Sequence, residues 1–168
     1  MLKNFKNGYA VSEGSTLAAG EKNDCVVRAF ANACDVTYDS AHRTVKDVFG
    51  RENGRGVMAF SFLMKKINTI AFDVVGQLNL FNNDTKTITV KHIGDAPKLG
   101  GELVNPKYKH KKVAYTVKEF ARKYNKGNYI VQVKGHALAI KNGVICDNNN
   151  YQTEGYRRVV EVAFRVAA

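Results

Sequence analysis

Apolar residues return every three or four positions through the first third of the chain, and every second position through much of the last third. Val26, Val27, Phe30, Ala33 and Cys34 form the first helical stripe and predict a helix over 24–34, with Asn23 or Asp24 as its cap. Tyr38, Ala41, Val45 and Val48/Phe49 predict a second helix over 38–49. A break follows at Arg51–Gly56, built on Gly54 and Gly56. Val57, Phe60, Leu63, Met64 and Ile67 predict a third helix over 57–67. The first twenty residues carry glycines but no periodic apolar positions, and read as a loose lead-in.

After Asn68 the period shortens. Thr69–Val75 is β-branched and aromatic, and Lys86–Ile93 alternates through Ile88 and Val90, so both are expected to be strands. Residues 94–112, with three glycines and two prolines, read as loop. Thr116-Val117-Lys118-Glu119 is a capping-box pattern opening a helix to about Tyr124. Tyr129–Lys134, His136–Lys141, Val144–Asp147 and Arg158–Val166 are the remaining strands. Helices first and antiparallel strands after is an α+β order, here in a single domain of 168 residues without internal repeats.

Asn142-Gly143 fixes one pairing in advance. Both central residues of a type I′ turn need positive φ, which asparagine and glycine tolerate best. A two-residue loop there sets Lys141 opposite Val144, Leu138 opposite Asp147 and His136 opposite Asn149. His136, Asp147 and Asn149 then project to one side of the sheet, with Leu138 and Ile140. That face is expected against the core or the first helix, and Cys146 on the opposite one.

The 45% apolar content argues against disorder, and no apolar run is long enough to span a membrane. Met1–Gly20 has no apolar stretch of the kind a secretory signal needs. The three cysteines (25, 34 and 146) are too few and too scattered for a disulfide framework, and fit a reducing, cytoplasmic setting. A net charge of +11 attracts polyanions, nucleic acid included, or an acidic protein. Part of it is concentrated at Lys107, Lys109, Lys111 and Lys112, with Tyr108 and His110 between them. That run is either a solvated loop or a contact patch for nucleic acid or an acidic partner.

Cys25 holds the chemistry. In the first turn of a helix, unpaired N–H groups and the positive end of the dipole favour a thiolate. Far along the chain come Gly135-His136-Ala137 and, across the hairpin, Asp147: a base and an orienting carboxylate. Each residue alone has an ordinary account, His136 as a buried histidine and Asp147 as a hairpin-end residue holding backbone amides. Their conjunction with Cys25 points to nucleophilic catalysis, with Asn149 as a substitute orienter. His42, His92 and His110 stand outside this set, and Cys34 reads as a core residue. Neither Cys-x-x-Cys nor His-x-x-x-His occurs, so no metal and no cofactor is expected.

At these residues the chain resembles the papain-like cysteine peptidases. Asn23-Asp24-Cys25-Val26-Val27-Arg28-Ala29 is similar to the nucleophile helix of compact microbial and phage members, and its Cys-x-x-Arg-Ala core to that of ovarian-tumour-type deubiquitinases. Gly127-Asn128-Tyr129 through Gly135-His136-Ala137 to Asp147 resembles the histidine hairpin of bacteriocin-processing peptidases. The resemblance implies a papain-like fold with N-terminal helices on an antiparallel sheet, and a hydrolase acting on a protein or peptide in a bacterial cytoplasm. It equally accommodates an inactive descendant that binds nucleic acid or an acidic partner, or a virion-associated structural protein. Papain-like enzymes often carry an oxyanion-binding glutamine about six residues before the thiol, where this chain has Ala19. The Cys25 N–H and the Asn23 side chain are the nearest substitutes.

Overall fold

The computed structural model describes residues 4–57, 77–79, 87–89, 101–104, 114–151 and 155–166. Among these the chain is mixed α+β. Helix α1 (Cys25–Cys34) and helix α2 (Tyr38–Phe49) precede helix α3 (Val117–Lys123). The strands are β1 (Phe5–Asn7), β2 (Gln77–Asn79), β3 (Thr87–Thr89), β4 (Gly101–Val104), β5 (Asn128–Val133), β6 (His136–Lys141), β7 (Val144–Asp147) and β8 (Val160–Val166). Six form one sheet in the order β1-β7-β6-β5-β8-β4, and β2 pairs with β3 separately.

Strand alternation divides the core in two. Ile130, Ala137, Ala139, Cys146, Val162 and Phe164 lie under α1 and α2, packed with Val27, Phe30, Ala33, Tyr38 and Val45. Tyr129, Val131, Leu138, Ile140, Ile145 and Ala163 form the other face, under Val117 and Phe120 of α3. The N-terminal helices do pack on the sheet, and Cys146 does face away from Ile145. Leu138 and Ile140 are buried in the core, one of the two settings expected for their face, and it is the α3 layer rather than α1 that covers them. The small side chains of Ala137 and Ala139 meet α1, which lets the helix approach the sheet closely.

Turn chemistry sets the central register. Asn142 and Gly143 have φ of 46° and 78°, and the pairing runs Lys141↔Val144, Ile140↔Ile145, Ala139↔Cys146, as the Asn-Gly turn requires. At its other end, β6 follows β5 through Lys134-Gly135, with Val133 paired to His136. A tight turn therefore delivers His136 as the first residue of its strand.

Three expectations need correction. The sheet is mixed rather than antiparallel, because β1 joins its edge parallel to β7, Asn7 beside Asp147. Residues 5–20 are accordingly not loose: a 3-10 turn over Gly8–Ser12 follows β1, and another covers Ala18–Gly20. Gly8 is required where this segment crosses β7, since a Cβ there would lie 2.8 Å from the Asp147 nitrogen. The stretch 94–112 includes a strand, β4, hydrogen-bonded antiparallel to β8. The expected third helix beyond Val57, the strand at 69–75, His92, His110 and the lysines 107, 109, 111 and 112 lie outside the described residues. Among the described residues no helix is long and apolar enough to cross a membrane.

Candidate active site

Asn23 takes a left-handed φ of 56°, and the chain then enters α1 with Cys25 as its first residue. The N–H groups of that first turn have no acceptor within the helix. Two amides reach the thiol sulfur: those of Val26, in the same turn, and Ala137, on β6. Asp24, one of the two expected caps, occupies the cap position but makes no side-chain capping bond. Its buried carboxylate instead takes Arg28 Nε at 3.0 Å, Arg28 Nη2 at 2.9 Å and the Tyr38 hydroxyl at 2.7 Å. Arg28 turns back over the lead-in. Its guanidinium lies 4.0 Å from the Tyr9 ring centroid, donates to the Tyr9 carbonyl at 3.3 Å and bonds the Ser12 hydroxyl. The arginine of Cys-x-x-Arg thus ties the thiol helix to Tyr9.

His136 bridges the two parts of the site. Nε2 lies 2.7 Å from Asp147 Oδ1, and the imidazole is also hydrogen-bonded to Cys25. With Nε2 turned to the carboxylate, Nδ1 is the nitrogen left for sulfur. Both charged forms gain from the contact. Burial opposes the Cys25 thiolate, but the His136 hydrogen bond and charge and the two amides outweigh it, so the thiol sits below its ordinary range. Burial also opposes the imidazolium, yet Asp147 and Cys25 raise His136 to about 9. The other thiols behave oppositely: burial pushes Cys34 up to about 12 and raises Cys146.

A pocket of about 550 Å³ opens over this pair, lined by Tyr9, Asn23, Cys25, Gln132, His136, Asn148 and Tyr151 among others. Gly56 and Val57 form part of its wall. The segment that carries them is held by a buried cluster at Glu21, which takes Arg51 Nη2 at 2.6 Å, His42 Nε2 at 2.6 Å and the Gly54 N–H at 2.8 Å. His42 serves that cluster and not the thiol.

The structure brings Cys25, His136 and Asp147 together and leaves Asn149 out. β7 ends at Asp147, and the chain turns into a 3-10 turn over Asn149–Tyr151. The Asn148 side chain drives the change by accepting the Asn150 N–H at 3.0 Å, an Asx turn. Asn149 is left exposed, while Asn148 lines the pocket and Tyr151 swings back to stack on His136, ring centroids 4.9 Å apart. Asn23 borders the pocket, but its amide donates to the Gly54 carbonyl at 3.4 Å. Ala19 is exposed on a 3-10 turn and is not part of the pocket wall. Tyr9, Gln132, Asn148 and Tyr151 were not anticipated from sequence. Only the Asn148-Asn149-Asn150 run carried a signal, that of a turn. Among the described residues no three His, Cys, Asp or Glu side chains are grouped to hold a metal ion. Comparison of the chain with family models, curated proteins and solved structures found no match.

Proposed function

We propose that this chain is a cysteine hydrolase acting on amide or isopeptide bonds, with Cys25 as nucleophile, His136 as base and Asp147 as orienter, on a papain-like fold. The observation that carries the proposal is the His136 imidazole hydrogen-bonded to both Cys25 and Asp147 beside an open pocket. In this reading the Cys25 sulfur attacks the substrate carbonyl. His136 holds the thiol proton and gives it to the leaving amine. Water, deprotonated by the same imidazole, then releases the acyl group from sulfur. Asp147 keeps Nε2–H engaged, so that Nδ1 faces the thiol throughout.

The test is iodoacetamide labelling of each cysteine from pH 5 to 9, in the wild type and in His136→Ala. Cys25 is expected to label fastest and to keep its rate well below pH 8, because its thiolate is paired with an imidazolium. Removing the imidazole returns the thiol to at least its ordinary pKa of roughly 8.5, so labelling at pH 6 should drop on the order of 100-fold. A wild-type Cys25 that labels no faster than a denatured thiol, with no response to His136→Ala, would sink the proposal.

A further inference from the structure

We infer that the Tyr9 hydroxyl is an oxyanion donor, working with the Cys25 N–H to hold the negative oxygen formed when sulfur adds to a carbonyl. This rests on the thiol-hydrolase reading and supplies what Ala19 cannot.

Stabilising such an oxygen takes preorganised donors aimed into the pocket. Most of the polar side chains around the thiol are already engaged. Asn23 Nδ2 donates to the Gly54 carbonyl, and Gln132 Nε2 to Glu161 Oε2, each at 3.4 Å. The Tyr151 ring packs against the imidazole at a tilt of 38°, and its hydroxyl is the rival donor that the test below separates. Asn148 accepts the Asn150 N–H through its Oδ1, which leaves its NH₂ group for the hydrogen bond it makes with Tyr9. The phenol oxygen is therefore the acceptor in that bond. Its own proton has no acceptor among the described residues, and Tyr9 lines the same pocket as Cys25.

Tyr9 is also held rigidly. Arg28 lies over its ring at 4.0 Å and holds its carbonyl at 3.3 Å, while its N–H donates to Asn7 Oδ1 at 3.1 Å. Asp24 fixes that arginine from the turn preceding Cys25. The donor and the nucleophile are thus anchored to one another through the Asp24–Arg28 pair, and Asn32 of α1 adds a hydrogen bond to the Gly8 carbonyl at 2.8 Å. Burial raises the phenol above its ordinary range despite the Asn148 bond, so the proton stays in place wherever the enzyme works.

Two reagents separate this role from thiol activation. Alkylation by iodoacetamide displaces iodide and forms no oxyanion. Acetylation by p-nitrophenyl acetate does: the C–S bond forms, the carbonyl oxygen takes the charge, and the carbonyl re-forms as p-nitrophenolate leaves. In Tyr9→Phe, first-turnover release of p-nitrophenolate should slow about 10- to 100-fold. Cys25 alkylation and its pH profile should stay within about twofold of wild type, and this also verifies that the variant's site is folded. Normal alkylation with unslowed acetylation in Tyr9→Phe overturns the inference alone. So does a loss found in Tyr151→Phe instead. A wild-type Cys25 that alkylates like a denatured thiol overturns the hydrolase reading, and this inference with it.

Discussion

Three cysteines share one chain, and their surroundings give them opposite characters. Cys34 and Cys146 have apolar neighbours and raised thiol pKa values, so they should resist alkylation in the native state. Cys25 differs through its neighbours, His136 foremost with the Ala137 and Val26 amides, and the protonation of His136 depends in part on Asp147. Asp147→Asn keeps an acceptor for Nε2–H but deletes the charge. The imidazole pKa should then fall from about 9 toward its ordinary 6.5, narrowing the range in which thiolate and imidazolium coexist. Labelling of Cys25 near neutral pH should drop about tenfold, between wild type and His136→Ala. A rate equal to wild type would show that the carboxylate does not support the imidazolium.

At the scale of elements, the site depends on segments that hold it and not on those behind the sheet. Glu21 stays ionised far into acid: Arg51 foremost, with help from His42 and the Gly54 N–H, lowers it to about 2 against the cost of burial. A depressed carboxylate contributes stability above its unfolded pKa and loses it as pH falls through the native one. The acid limb of the stability curve should therefore steepen between pH 4.5 and 2, and Glu21→Gln should flatten it. That variant also leaves Arg51, fully enclosed, without its carboxylate. It should cost about 3–5 kcal/mol and slow Cys25 acylation, because the segment it holds ends in Gly56 and Val57 of the pocket wall. Thr116→Ala is the contrasting variant. It removes the reciprocal cap of α3, for about 1 kcal/mol, but lies in the layer on the far side of the sheet and should leave Cys25 labelling unchanged. Thermal melts and labelling rates of the two variants test both halves of the comparison. β8 adds a further local device, a register slip opposite Gln132/Val133 that leaves Glu161 unpaired in the ladder and in reach of Gln132.

Over the whole molecule, pH acts through the pair at the site. Cys25→Ala leaves His136 facing Asp147 alone, a histidine whose native pKa is raised. Such a group stabilises fully below its unfolded value near 6.5 and loses that contribution as pH rises through the native one. Melting temperature of Cys25→Ala should therefore decline as pH rises above 6.5 to the extent that Asp147 alone holds the imidazolium, and in the double variant with His136→Ala it should not. The α1 and α2 stripes and the Asn142-Gly143 hairpin were legible in the sequence because local periodicity and turn geometry determine them. So was the convergence of Cys25, His136 and Asp147. β1 and β4 were not, since three or four residues carry no period and their pairing is dictated by the edges of β7 and β8. Tyr9 was hidden for the same reason: the pairing of β1 with β7 and the long reach of Arg28 place it, and no periodic pattern records those contacts. Asn149 stands outside the site because an Asx turn at Asn148 ends the strand before the hairpin register reaches it.

The placement of β1 against β7 has a consequence in time. Residues 5–25 bring the tyrosine and the thiol, whereas residues 132–151 bring the base, the carboxylate and the amide that meets the phenol. A ribosome makes the first group long before the second. Until the late hairpin emerges and zips between the early strand and β5, Cys25 is a cysteine like any other in a growing polypeptide. Completion of the sheet is itself the step that brings His136 and Asp147 to Cys25.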